Sequence, residues 1–149
     1  MIRPVLTYGC ETWTLRKKDR NRLEVFENKI LRKIVGPVHA PDGWRRRSNA
    51  ELQEATHQKP IMIFMNQLRL GWAGHAARMG EEELPRIALD NVGQGRRPHG
   101  RPRQRWLDNI RVLAGRHWRD DAQDRVRWRR RIADVEEAWS RRPTRAPQS

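Results

Sequence analysis

Ile61-Met-Ile-Phe-Met-Asn-Gln-Leu-Arg-Leu-Gly-Trp-Ala-Gly-His-Ala-Ala-Arg-Met79 is the stretch on which the fold turns. Apolar side chains recur at Ile61, Phe64, Met65, Leu68, Trp72, Ala76 and Met79, which is the spacing of a helix with one buried face. The reading is a central core helix over 61–79 in a mainly α-helical protein. Gly71 and Gly74 interrupt it, each at a cost of about 1 kcal/mol relative to alanine unless it admits a close neighbour. His75 lies beside the apolar stripe with no second ligand four residues away, so it reads as a hydrogen-bonded structural histidine rather than a metal ligand.

The helical period extends both ways from this stretch. Upstream, Leu23, Phe26, Ile30 and Ile34 predict a helix from Asp19, its N-cap, to Val35, where Gly36-Pro37 stops it. Ser48-Asn-Ala-Glu51 is a capping box that starts a short helix at Asn49. Met1 to Trp13 reads as extended, with Val5 to Tyr8 the one strand-like run, and Trp44-Arg-Arg-Arg47 reads as a solvated basic loop. Glu81-Glu-Glu83 lies in a turn and reads as a solvated acidic loop. Downstream, Trp106, Leu107, Ile110 and Leu113 mark a helix ending at Gly115. Ala122, Trp128, Ile132, Val135 and Trp139 mark another from Asp120 to Trp139. The expected organisation is an extended piece over 1–14, a helical segment over 15–90, a basic Arg/Pro/Gly linker over 91–105, basic helices over 106–139 and a disordered tail over 140–149.

Composition makes this a thin domain. Of 149 residues, 36% are hydrophobic and 34% charged, although seven tryptophans argue against full disorder. An isolated piece of this kind is expected to be only partly stable. The net charge is +14, and 27 of the 32 basic residues are arginine, the residue whose fork of donors matches phosphate. Residues 91–149 carry +9 against +5 for residues 1–90, so the C-terminal part is the expected polyanion-binding half. A G+C-rich gene would supply the same arginine, proline and glycine. A single cysteine, Cys10, excludes an internal disulfide and a Cys-rich zinc site and points to an intracellular protein. The nucleus is the expected compartment. No apolar run approaches the ~20 residues of a bilayer span, so no membrane partner is expected.

Gly95-Arg-Arg-Pro-His-Gly-Arg-Pro-Arg-Gln-Arg-Trp106 concentrates the charge, with five arginines and no acidic residue. Proline biases the preceding residue to extended geometry, which holds Arg97 and Arg101 out of any helix. Arg96, Arg97, Arg101, Arg103 and Arg105 are therefore the candidate phosphate contacts, and Trp106 a stacking or hinge residue. Arg127, Arg130 and Arg131 on the last helix form a second basic set. The one Asp-Asp pair, Asp120-Asp121, stands at a helix start, where complementarity to the dipole accounts for it. No catalytic residue, metal ligand, cofactor site or small-molecule substrate is read from the chain.

Several motifs occur together in one order: Tyr8-Gly-Cys-Glu-Thr-Trp13, Leu31-Arg-Lys-Ile-Val-Gly36, Leu68-Arg-Leu-Gly-Trp-Ala-Gly-His75 with Arg78-Met79, Gly100-Arg-Pro-Arg-Gln-Arg-Trp-Leu-Asp108, and Gln123-Asp-Arg-Val-Arg-Trp128. In this the chain resembles the C-terminal region of non-LTR (LINE-type) retrotransposon reverse transcriptases, up to about Trp139. The resemblance implies a region that follows the polymerase palm, from the end of the thumb into a basic helical segment. Its parent activity is RNA-directed DNA synthesis, with the catalytic aspartates upstream. It also implies departures here: Gly71 stands where a basic residue is usual, Ala73 where a larger apolar residue is usual, and His99 where arginine is frequent. A start at Met1 with such drift reads as a truncated genomic copy. Gly100-Arg-Pro-Arg103 resembles an AT-hook as well, so the alternatives are a stand-alone DNA-binding or chromatin module and a non-functional pseudogene product. RNA or DNA preference stays open.

Overall fold

The computed structural model describes residues 3–91, 99 and 104–140, and among these the chain is mainly α-helical. In chain order the elements are α1 (Arg3–Leu6), a 3₁₀ turn (Cys10–Thr12), α2 (Lys17–Val35), the strands β1 (Val38–Ala40) and β2 (Gly43–Arg45), α3 (Asn49–Thr56) and α4 (Ile61–Ala77). Then follow α5 (Leu84–Asn91), α6 (Trp106–Ala114), α7 (Trp118–Gln123) and α8 (Arg125–Ser140). Helix α4 is the axis, touched by the 3₁₀ turn and by α2, α5, α6, α7 and α8. Two apolar clusters sit along it. Cys10, Leu15, Ile61, Met62 and Met65 gather at its N-terminal end, while Leu70, Ala73 and Ala77 meet Ile110, Trp118 and Trp128 further on.

The period of α4 is helical as read, but its most buried side is not the predicted stripe. Met62, Met65, Asn66, Arg69, Leu70, Ala73 and Gly74 are buried, whereas Phe64, Leu68, Trp72 and Met79 are half-buried. Small residues explain the turn. At Gly74 the Trp128 indole lies against the helix and its Nε1 donates to the Leu70 carbonyl at 2.9 Å, an approach that a side chain at 74 would block. Trp118 stacks at a tilt on the same indole, 6.0 Å between ring centroids. His75 is exposed, and among the described residues its contact is with the Trp72 ring and not a hydrogen bond, so the expectation of a hydrogen-bonded structural histidine is corrected.

Helix α2 also turns away from its predicted face. Phe26 and Ile34 are 48% and 67% exposed, and the buried residue is Glu27 at 8%. The cause is polar: Glu27 Oε1 accepts from Arg3 Nε at 2.7 Å and Oε2 accepts from the Ile61 backbone N–H at 3.0 Å. One carboxylate thus joins α1, α2 and the first turn of α4, where a negative charge also suits the helix dipole. The N-cap of α2 is Arg16 rather than Asp19, which sits three residues in and accepts from the Arg16 N–H.

Three further expectations are corrected. The N-terminal piece is helical and turn-like, not extended: Thr7 bonds back to the Arg3 carbonyl through both its N–H and its hydroxyl, at 2.8 Å each. The strands are instead in β1–β2, an antiparallel hairpin pairing Val38 with Arg45 and Ala40 with Gly43. Trp44 and Arg45 are therefore strand residues, and the basic run is tied down, since Arg47 Nε donates to the Gly36 carbonyl at 3.1 Å. The last predicted helix is two. The chain straightens at Asp124, whose carboxylate accepts from the Val126 and Arg127 N–H groups at 2.8 and 3.1 Å and so starts α8 anew.

The capping box of α3 is closed from both sides, Ser48 Oγ accepting from Glu51 N and Glu51 Oε2 from Ser48 N. Arg45 donates to the same carboxylate, which these bonds lower from 4.5 to about 2. A depressed carboxylate contributes stability above its unfolded pKa and loses it as pH falls through the folded value. The protection of the Glu51 and Leu52 amides, relative to their intrinsic exchange at each pH, is therefore expected to fall between about pH 4.5 and 2. The substitution Glu51→Gln is expected to remove that pH dependence and to lower protection above about pH 4.5.

Candidate nucleic-acid interface

Arg96, Arg97, Arg101 and Arg103 lie outside the described residues, as do residues 141–149 and the side chain of Trp139. The described end of the basic stretch is firmly held. The Arg105 N–H donates to Asp108 Oδ2 at 2.9 Å and its carbonyl accepts from Asn109 Nδ2 at 3.3 Å, which makes Arg105 the N-cap of α6. Trp106 is half-buried against the core, and its Nε1 donates to the Glu11 carbonyl at 2.6 Å. It is an anchor between the N-terminal turn and α6, which ties up its ring N–H.

The arginines of α8 divide by what Asp121 can reach. Arg127 and Arg131 both pair with its carboxylate, at 3.4 and 3.1 Å. These bonds, Arg131 first, hold the Asp121 carboxyl below its usual range. Asp120 and Asp121 occupy the first turn of α7, and Asp121 serves as a counter-ion. Arg130 is exposed and lies in the field of Asp124, whose carboxyl is lowered first by the Arg127 and Val126 N–H groups. Two of the three residues expected to bind from this helix are thus already neutralised in part.

A different pair is left facing outward. Arg125 and Arg129, one turn apart on α8, line an open cleft of about 640 Å³ between α8 and the C-terminal half of α4. Among the described residues neither forms an ion pair with a carboxylate. Arg78 joins them across the cleft, its Nη1 fixed on the Ala122 carbonyl at 2.7 Å. His75, ring-paired with Trp72 at 5.7 Å, stands at the edge. The Glu83 carboxylate lines the cleft as well. Guanidinium groups in a row beside the exposed His75 ring can follow a phosphate backbone and offer a face to an unpaired base. Gly71 forms part of the wall, and a Cβ built there meets nothing within 4 Å.

Arg125 and Arg129 are not among the residues that the sequence analysis assigns to binding on this helix, which are Arg127, Arg130 and Arg131. The i, i+4 spacing of Arg125 and Arg129 was visible; the capture of Arg127 and Arg131 by Asp121 was not. Among the described residues no group of three His, Cys, Asp or Glu side chains could hold a metal ion, and no helix is long and apolar enough to cross a membrane.

No family model matches the chain, and no solved structure matches it. An uncharacterized transposon-derived protein of Caenorhabditis elegans is 26% identical over 138 residues, covering 86% of this chain. The chain spans about half the length of that relative, 50%. The likeness fits a transposable-element origin.

Proposed function

We propose that the chain is a nucleic-acid-binding C-terminal part of a non-LTR retrotransposon reverse transcriptase, with no catalytic site of its own. The observation that carries the reading is the cleft in which Arg125 and Arg129 face outward beside Arg78, neither of the two ion-paired among the described residues. The resembled motif adds to it. The position held here by Gly71 is usually basic in that family, and in this fold it forms the wall of the same cleft, so a basic side chain there would extend the arginine row. The partner is a nucleic-acid strand, not a membrane or a small molecule, and the compartment is the nucleus. Polymerase chemistry belongs to the upstream palm of the parent enzyme.

Salt dependence tests this directly. Each phosphate neutralised contributes about 0.9 to the slope of log K against log salt for duplex DNA and about 0.7 for a single strand. Arg125→Ala with Arg129→Ala is expected to flatten the slope for duplex DNA by up to about 1.8, and Gly71→Arg to steepen it by about 0.9, with helix content unchanged in both. Arg127→Ala with Arg131→Ala should change it less, because those side chains are held by Asp121. Arg101, Arg103 and Arg105 to alanine measures the share of the basic stretch. A wild-type chain whose affinity for RNA and DNA is insensitive to salt would sink the reading.

A further inference from the structure

A second cleft, about 730 Å³, opens between the N-terminal half of α2, α4, α6 and α8. Its polar lining holds the carboxamides Asn21, Asn66, Gln104 and Asn109, the cations Lys17, Arg20 and Arg131, and the carboxylates Glu24 and Asp134. Polar groups at its inner end are left unanswered. Asn66 is 7% exposed and its Oδ1 has no hydrogen-bond partner among the described residues; Arg20 Nε is buried and unpartnered as well. One turn along α4 from Asn66 lies Arg69, 0% exposed, with Nε, Nη1 and Nη2 all unpartnered. Burial first, and then the like charge of Arg20, push its guanidinium down to about 10.

Buried guanidinium groups are nearly always paired, because an ion withdrawn from water without a counter-charge is costly. Arg20 does have one acceptor, Asn109 Oδ1 at 3.1 Å, but that group is neutral and its Nδ2 is committed to the Arg105 carbonyl. Among the described residues, three nitrogens of Arg69 and one of Arg20, on the touching helices α2 and α4, thus have no hydrogen-bond partner. Cys10, the other group that Arg69 senses, has its thiol raised to about 11, first by burial, and supplies no charge at neutral pH.

We propose that the inner end of this cleft is a phosphate site, in which Arg20 and Arg69 hold a phosphate-type oxyanion and the carboxamides around them hold the group that bears it. Arg20 lines the cleft and Arg69 stands behind it, so the ligand enters past Lys17 and draws the Arg69 guanidinium forward. The choice of phosphate over carboxylate rests on the nucleic-acid reading above; the existence of an oxyanion site does not. A strand phosphate and a free nucleotide share this chemistry. The site also differs from the outer cleft in kind, since Arg125 and Arg129 are exposed and need no ligand to be stable.

The test is thermal unfolding of the full chain at constant ionic strength, with pyrophosphate, a nucleoside monophosphate, a 5′-phosphorylated oligonucleotide and a glutamate-rich peptide as probes. Arg69→Met is expected to raise the melting temperature of the free protein, by removing an unpaired buried charge, and to abolish the stabilisation that phosphate probes give the wild type. Stabilisation by pyrophosphate or the monophosphate assigns a free ligand; stabilisation by the oligonucleotide alone assigns a strand end. Equal stabilisation of wild type and Arg69→Met, or none by any phosphate probe, overturns the proposal. A response to the acidic peptide in place of phosphate overturns it too. If Arg69→Met does not fold, the Nε–H resonances of Arg20 and Arg69 in the wild type decide: they must move on adding pyrophosphate and stay still with equal chloride. Loss of strand binding in the salt titration with this response intact would fail the outer cleft alone; the reverse would fail this site alone.

Discussion

Gly74→Ala is expected to cost about 3 kcal/mol of folding stability, from a methyl group added at a helix position where alanine is ordinarily the better residue. Overpacking a filled site costs about 1–3 kcal/mol and losing a buried tryptophan about 3–5. A Cβ at this position would lie 2.7 Å from Trp128 Cε2 and nearer still to Cδ1 and Nε1, atoms of a ring that is itself only 2% exposed. Backbone at both ends of the contact is helical and cannot give way cheaply. The indole must leave, and its bond to the Leu70 carbonyl goes with it. Against a total stability of about 5–15 kcal/mol for a typical domain, this change alone removes about a fifth to three fifths of it. Gly71→Ala is the control. Nothing stands within 4 Å of its Cβ, so it should gain up to about 1 kcal/mol from helix propensity. Urea unfolding followed by far-UV circular dichroism, with tryptophan emission reporting the indole's exposure, separates the two; similar midpoints for both variants would refute the account of the α4–α8 contact.

Glu27→Ala carries the second large effect, a loss of about 3 kcal/mol, within the range for breaking a buried ion pair by removing one partner. The substitution strips Arg3 of its carboxylate and leaves the Ile61 N–H, in the first turn of α4, without an acceptor. Arg3→Ala should cost less. Its side chain is 20% exposed against 9% for Glu27, and without it Glu27 still accepts from Ile61. A double-mutant cycle in urea gives the coupling directly. If Glu27→Ala falls within about 1 kcal/mol of wild type, the carboxylate is not what turns α2 inward, and the exposure of Phe26 and Ile34 would need another cause.

That cause matters for what the sequence could reveal. The period of α2 and α4 was legible, so the fold class was; which face of each helix turns inward was decided by single non-periodic contacts. In α2 it was a carboxylate reaching a backbone N–H 34 residues away, and in α4 a tryptophan 58 residues from the carbonyl it meets. Hydrophobic spacing contains no term for either. The split at Asp124 was visible in principle, since aspartate before a charged helical run is an N-cap signal, but the apolar spacing runs through it and hides the break. For the sites, the arginine count points to the C-terminal half of the chain, while pairing with Asp121 decides which of the described arginines of α8 remain open. Arg69 was the missed signal. A charged residue between Leu68 and Leu70 in an otherwise apolar helix is the kind of local contradiction that marks a special position, and the periodicity reading passed over it.

The covering of α4 sets the order in which the chain can fold as it is made. Its N-terminal end is closed by the 3₁₀ turn and α2, made before it, and its C-terminal half by α6, α7 and α8, made after it. The Trp106 bond to Glu11 spans 95 positions. At about 5–20 residues per second, α4 waits several seconds from synthesis until Trp128 emerges, with Leu70, Ala73 and Ala77 open to any other apolar surface. A nascent chain with α5 out of the exit tunnel and α6 still inside it therefore presents a sticky helix, and chaperone occupancy should peak there and fall once α8 is released.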